Sequence, residues 1–242
     1  MAAGKGTRLR PLTEHRPKAL CPVANVPLVD LALARVTPYA DEVAVNAHHM
    51  RAAMAEHLAG RVHLSVEEPV ALGTAGAIGQ LRPWLAGRAA LVVNADAWST
   101  DDLSALVDGW DGERVRLLVV ADAERGDFAG WRFAGASLLP WSIARALEPE
   151  PTGLYEVCWR GEHETGRLDL LPTTAAFVDC GTPADYLAAN LLASGGRSVV
   201  GEGAVVDGTL ERSVVWPGGR VHAGEHLVDA IRVGADVTVS AP

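Results

Sequence analysis

An α/β fold, with a mixed, mostly parallel sheet flanked by helices and a short tail of different texture, is what the sequence predicts. Two observations predict it. Through most of the sequence, short apolar runs alternate with amphipathic stretches, an order that places parallel strands beneath covering helices. From Ser198 the alternation stops, and aliphatic residues and glycines recur at short, roughly regular intervals. The 242 residues, 49% hydrophobic and 21% charged, suit one large domain with a small appendage.

Taken in order, residues 43–46, 62–66, 89–93 and 115–120 read as strands. Helical spacing predicts helices over 28–36, 50–58, 74–81 and 102–110. In the second helix Met50, Met54, His57 and Leu58 share one face. Sheets of this kind bind ligands outside the carboxyl ends of their strands, which makes the loops after the strands the places to look. Ser194-Gly195-Gly196-Arg197 reads as a linker. Beyond it, Val199-Val200-Gly201, Val205-Val206-Asp207, Val214-Val215-Trp216 and Val233-Gly234-Ala235 resemble the hexapeptide pattern of a left-handed parallel β-helix. The expected division is a main domain over 1–195 and a short β-helical tail over 196–242, packed on the main domain or on a second copy of the chain.

Composition excludes several classes. A formal net charge of −9 argues against a nucleic-acid polymer as partner, although a few concentrated cations can still hold a phosphate ligand. Cys21, Cys158 and Cys180 are odd in number and widely spaced, so neither a zinc site nor a disulfide framework is indicated, and a cytoplasmic location is expected. No apolar run reaches membrane-spanning length. His48-His49 are neighbours whose side chains diverge, and His222 and His226 lie in the tail, so neither pair is expected to share a metal.

The chemistry concentrates near the start. In Ala2-Ala3-Gly4-Lys5-Gly6-Thr7-Arg8-Leu9-Arg10-Pro11-Leu12-Thr13 two glycines let backbone amides approach phosphate oxygens closely. Arg8 adds a guanidinium fork and Lys18, in Pro17-Lys18-Ala19-Leu20, a movable point charge. The lysine between the glycines distinguishes this loop from a Walker A motif. Asp96 closes the apolar run Val92-Val93-Asn94-Ala95, and Asp179 follows the short apolar stretch ending at Val178. Two such carboxylates, completed by phosphate oxygens and water, would make a hard, oxygen-rich Mg2+ site. Asp101 and Thr182 are the better candidates for capping the helices that follow.

The opening string resembles the signature of the sugar-1-phosphate nucleotidyltransferases, or NDP-sugar pyrophosphorylases. Further matches follow in order. Glu67-Glu68-Pro69 with Leu72-Gly73-Thr74-Ala75-Gly76 is similar to the family's base-recognising segment, and Asn94-Ala95-Asp96 to its metal-binding strand end. Val178-Asp179-Cys180-Gly181-Thr182-Pro183 is similar to its second metal segment. The resemblance covers residues 1 to about 195 and implies a Rossmann-like nucleotidyltransferase fold. It also implies transfer of NMP from a nucleoside triphosphate to a sugar-1-phosphate, with Mg2+ as cofactor. The implied catalytic residues are Arg8, Lys18 and Asp96, with Asp96 and Asp179 holding the metal. Ala3, Gly4, Gly6, Thr7, Glu68, Gly73 and Thr74 would bind the nucleotide.

Two departures stand out. Relatives carry a strand before Ala-Ala-Gly, whereas Met1 abuts Ala2 here, so the expectation is that the natural start lies upstream. Many also carry a Glu-x-Lys-Pro segment whose lysine meets the sugar phosphate; residues 122–135 hold no lysine, leaving Arg125 or Arg132 as substitutes. That compressed region is similar to the small bacterial mannose-1-phosphate guanylyltransferase-like, glucose-1-phosphate thymidylyltransferase-like and uridylyltransferase-like members. Two other functions stay open: a non-catalytic nucleotide-sugar-binding regulatory homologue, and a cytidylyltransferase acting on a phospho-alcohol. The motifs specify neither base nor sugar, and the tail offers a route to a homo-oligomer.

Overall fold

Each predicted strand of the alternating region forms, within a residue or two of its expected bounds, in the computed structural model, which describes residues 1–241. The chain divides into two compact units, one comprising Met1–Gly4, Ala32–Ala95 and Ser99–Phe177, the other Lys5–Leu31, Asp96–Trp98 and Val178–Pro242.

In the first unit, strands Ala44–Ala47 and His63–Val66 pair in parallel, Val45 opposite Leu64. Helix Arg51–Leu58 connects them and buries Met54 and Leu58, the inward half of the predicted face. A four-stranded sheet runs in the order Ala90–Val93, Trp131–Leu139, Arg116–Ala121, Asp169–Pro172. Its last two strands are parallel, but Trp131–Leu139 is antiparallel to both of its neighbours. The expectation of a mostly parallel sheet therefore fails at this strand. The turn over residues 122–130 is too short for a crossover and sends the chain straight back as a hairpin, which forces antiparallel pairing. Gly135, at φ +77°, and the register shift between Leu117 and Val119 break the period-two pattern that would have revealed the strand.

Helix Gly73–Leu85 runs beyond the predicted 74–81 and packs Ala75, Ile78 and Leu85 into a core with Val92, Leu117, Phe128 and Trp159. The predicted helix 102–110 shrinks to Ser104–Val107, where Asp101 accepts from Leu103 N–H and Asp102 from Ser104 N–H. Met1 lies beside Ala90–Val93: its amino group donates to Val93 C=O at 2.6 Å, and its carbonyl accepts from Ala95 N–H at 2.9 Å.

In the second unit a hairpin pairs Pro22–Val23 with Val26–Pro27, and Thr182 caps helix Pro183–Ala193 by accepting from Asp185 N–H. The tail is built of short strands in parallel register. Val199–Val200, Val214–Val215 and Ala230–Val233 form one stack, Val205–Val206 pairs with Arg220–Val221, and Thr209–Glu211 pairs with His226–Val228. Val237–Ser240 turns back antiparallel on Ala230–Val233. Tail residues Val199, Val214, Trp216 and Ile231 share one buried cluster with Leu9, Leu12, Cys21 and Tyr186. Trp216 Nε1–H donates to the Tyr186 hydroxyl at 2.9 Å, that hydroxyl donates to Pro22 C=O, and the Arg16 guanidinium lies 4.3 Å over the indole.

Candidate functional site

The charged residues singled out by sequence meet in the second unit. Gly6, at φ +59°, opens the turn Thr7–Leu9; a Cβ there would lie 2.8 Å from Thr13 Cγ2, so only glycine fits both the dihedral and the space. Leu9 and Leu12 are fully buried and fix this turn, which leaves Arg8 on the solvent side. Lys18 begins a second short turn, Lys18–Leu20, held by buried Ala19 and Cys21. Asp96 sits between strands Ala90–Val93 and Ala97–Ser99, and Asp179 is the last residue of Phe177–Asp179. The two backbones are tied by Cys180 N–H donating to Asp96 C=O at 3.2 Å.

Lys18 Nζ donates to Asp96 Oδ2 at 2.9 Å and to Asp179 Oδ1 at 3.2 Å. Arg8 Nη2 stands 3.8 Å from Asp179 Oδ2, and a Cβ on Gly181 would come within 3.0 Å of that guanidinium nitrogen. The lysine side chain is only 8% exposed, whereas Asp96 is 38% and Asp179 43% exposed. Burial pulls the Lys18 ammonium down, but the charges of Asp96 and Asp179 outweigh it and hold its pKa above the ordinary lysine value. The two carboxylates thus already converge on one cation while keeping oxygens turned to solvent. That donor set fits Mg2+, which takes one or two carboxylates together with phosphate oxygens and water.

The remaining predicted residues lie in the first unit. Gly73, at φ +69°, presses against residue 152, where a Cβ would be 2.5 Å from Thr152 C=O. Ala75 N–H donates to that same carbonyl at 3.1 Å, and the Thr74 hydroxyl accepts from Leu154 N–H at 3.0 Å. Thr74 therefore spends its oxygen on the fold of this turn. Glu68 is exposed and ion-paired with Arg51. Ala3 is buried, while a Cβ on Gly4 would meet nothing within 4 Å, leaving its backbone open to approach. Arg132, one of the two substitutes for the absent lysine, pairs with Asp122 at 3.1 Å and lies 5.5 Å over the Phe177 ring; Arg125 donates its backbone N–H to Asp122.

Two residues escaped the sequence reading. Glu67 is completely buried and Asn46 nearly so, and their side chains are hydrogen-bonded at 2.7 Å. The signal was present in the Glu67-Glu68 doublet at a strand end, since adjacent residues of an extended segment point to opposite sides. Among the described residues no group of three or more His, Cys, Asp or Glu side chains could hold a metal ion by itself. His48 Nδ1 lies 3.0 Å from Glu67 C=O, and His226 Nδ1 contacts Thr209. A cavity of about 310 Å3 in the first unit is lined by Val36, Tyr39, Ile78, Trp84 and Arg88 among others, and none of the candidate ligand residues lines it. No helix among the described residues is long and apolar enough to cross a membrane.

A loop of this composition beside two convergent carboxylates defines a class, and the comparison with known families agrees: residues 1–124 match the model of the nucleotidyl transferase family. The chain belongs to the nucleotidyl transferase family. It is 40% identical over 133 residues to the N-acetylmuramate alpha-1-phosphate uridylyltransferase of Caulobacter vibrioides, a match covering 50% of this chain and 55% of the relative. It is 34% identical over 114 residues to the mannose-1-phosphate guanylyltransferase of Mycobacterium tuberculosis, covering 45% of this chain and 32% of the relative. The chain spans about half the length of the curated relatives it matches first. In fold it is similar to the mannose-1-phosphate geranyltransferase structure from Thermus thermophilus, with a TM-score of 0.73 at 18% identity over 99% of this chain and 93% of that one.

Proposed function

We propose that this chain transfers the nucleotidyl group of a nucleoside triphosphate to a sugar-1-phosphate, releasing pyrophosphate and forming an NDP-sugar. The observation that carries this reading is the Lys18 ammonium joined to both Asp96 and Asp179, with Arg8 beside them, in a member of the nucleotidyl transferase family. A phosphate monoester is already anionic near neutral pH, so the attacking oxygen needs no protein base. It attacks the α-phosphorus in line, a new P–O bond forms, and the bond to the pyrophosphate oxygen breaks on the opposite side. Catalysis is then positioning and charge neutralisation.

Within that scheme Gly4, Gly6 and Thr7 offer backbone amides to the β- and γ-phosphates, and Ala3 supports the start of that loop. Arg8 neutralises the departing pyrophosphate, and Lys18 the charge at the α-phosphate. Glu68, Gly73 and Thr74 form the nucleobase side, Thr74 through its backbone. Asp96 and Asp179 are the residues to hold Mg2+. When bound, that ion supplies charge neutralisation on the phosphate oxygens. Arg125 or Arg132 would take the place of the absent lysine. We read 1–195 as the nucleotidyltransferase domain and 196–242 as a short left-handed β-helix, a reading supported by the parallel register of successive tail strands. A homo-oligomer formed through the tail and a cytoplasmic location complete the proposal.

The test is pyrophosphate release with Mg2+, screening the four nucleoside triphosphates against sugar-1-phosphates and phosphocholine. UTP with N-acetylmuramate α-1-phosphate heads the panel, since the relative at 40% identity carries that name. Release that needs one sugar phosphate and disappears in Asp96→Ala supports the reading. Release with phosphocholine and CTP alone identifies the phospho-alcohol reaction instead. Nucleotide-sugar binding without any turnover, in a folded protein, identifies the regulatory homologue, which the lysine-free segment 122–135 favours.

A further inference from the structure

A buried polar chain joins two segments of the first unit that the proposed function assigns to the nucleotide. Ala2 N–H donates to Asn46 Oδ1 at 2.7 Å. Asn46 Nδ2 donates to Glu67 Oε1 at 2.7 Å, and Leu72 N–H donates to Glu67 Oε2, also at 2.7 Å. Glu67 is completely buried and Asn46 is 4% exposed. The backbone of Glu67 is itself anchored, its N–H donating to Ala47 C=O at 2.9 Å. On its far side the turn at Gly73 is held by Thr152: Leu72 C=O accepts from Thr152 N–H at 3.0 Å.

We propose that Glu67 is a positioning residue for the nucleotide: its carboxylate fixes the start of the glycine-rich loop, through Asn46, relative to the base-recognising turn at residues 72–74. The inference rests on the functional reading above for its ligand, but not for the coupling itself. Every bond in the chain has a direction. Ala2 and Leu72 can only donate, so Asn46 must turn its oxygen toward Ala2 and its amide toward Glu67, and Glu67 must accept at both oxygens. Both Glu67 oxygens therefore serve as acceptors, a pattern that a glutamine amide cannot reproduce. In Glu67→Gln one amide group faces another donor, and flipping Asn46 only moves the mismatch to Ala2. Buried donors left facing each other are both unsatisfied, which pushes the segments apart.

The same logic supplies an isosteric rescue. In Asn46→Asp with Glu67→Gln, the new carboxylate accepts from Ala2 and from the glutamine amide, and the glutamine oxygen accepts from Leu72. The direction of the central bond reverses, and size and net charge are unchanged. Binding of UTP, GTP, dTTP and ATP with Mg2+ is measured by calorimetry, alongside the KM values of both substrates and the melting temperature. Expected are a tenfold or larger rise in Kd and KM for the nucleotide in Glu67→Gln, with the KM for sugar-1-phosphate within twofold, and recovery to within threefold in the double variant. A residue that served the fold alone would lower the melting temperature without separating the two KM values. Unchanged nucleotide affinity in Glu67→Gln, or a double variant no better than the single one, overturns the proposal. If the wild-type chain binds no nucleotide, it is the functional reading that fails. Amide hydrogen exchange then still decides the coupling: faster exchange at both Ala2 and Leu72 in Glu67→Gln, reversed in the double variant, supports it, and unchanged exchange at either end overturns it.

Discussion

Lys18 is a structural cation to which the proposed function assigns a second role. It is largely buried, yet two carboxylates face it, so its charge is stabilised where it stands. Asp96→Asn removes one of those carboxylates at constant shape. The expected outcome is a fall in pyrophosphate release of about 100-fold or more, the scale typical of losing one charge-stabilising group, with the circular-dichroism spectrum unchanged. The cysteines follow a different rule. Burial pushes Cys21 and Cys180 up to about 12 and Cys158 to about 11, from an ordinary value of 9.0. A folded-state pKa raised for an acidic thiol stabilises the protein below pH 9 and loses that contribution as pH climbs toward 11–12. The melting temperature should therefore fall steeply above pH 9, and a thiol reagent at pH 7.5 should label none of the three cysteines before denaturant is added. Prompt labelling of Cys21 or Cys180 in the native protein would contradict this.

Among the elements, helix Gly73–Leu85 is the one whose position depends most on glycine. Gly73, Gly76 and Gly79 present bare backbone to the segment 147–152, where a Cβ would stand 2.5, 2.1 and 2.5 Å from the nearest carbonyl atoms of Thr152, Glu150 and Glu148. Gly76→Ala must move the helix or the segment, and a destabilisation of about 2 kcal/mol or more is expected from overpacking against backbone. Gly73→Ala adds the cost of a left-handed dihedral, about 1 kcal/mol, and displaces the turn assigned to the nucleobase. Chemical denaturation of the two variants, with nucleotide Kd measured beside it, separates the effects: both lose stability, and Gly73→Ala loses more affinity.

At the scale of the whole molecule, the tail is not an accessory to the second unit. Leu9 and Leu12, which anchor the loop bearing Arg8, share a buried cluster with Val199, Val214, Trp216 and Ile231. Trp216→Ala should cost about 3–5 kcal/mol, the usual range for emptying a buried aromatic site. Deleting residues 197–242 should leave a chain that is digested rapidly in limited proteolysis and lacks a cooperative melt. A deletion variant that melts cooperatively with the wild-type midpoint would show that the loop does not rely on those contacts.

Much of this was legible in the residues, and for identifiable reasons. Strands with uninterrupted aliphatic runs, the glycine-rich loop, and the residues Arg8, Lys18, Asp96 and Asp179 were all visible because local sequence carries them: hydrophobic period, turn chemistry and a motif of fixed spacing. Thr182 as a helix cap was visible for the same reason. The strand Trp131–Leu139 was not, since its glycine and its bulge erase the alternation, and its antiparallel direction depends on the turn before it. Nor could spacing disclose that Lys18 joins Asp96 to Asp179, residues 78 and 161 positions away, or that buried Glu67 rather than its exposed neighbour closes a chain from Ala2 to Leu72. By itself the sequence determined the mixed α/β class, the family and the residue types of the candidate site, because these follow from local pattern. Tertiary structure alone decided which donors meet which acceptors, because burial and hydrogen-bond direction are set by segments far apart in the chain.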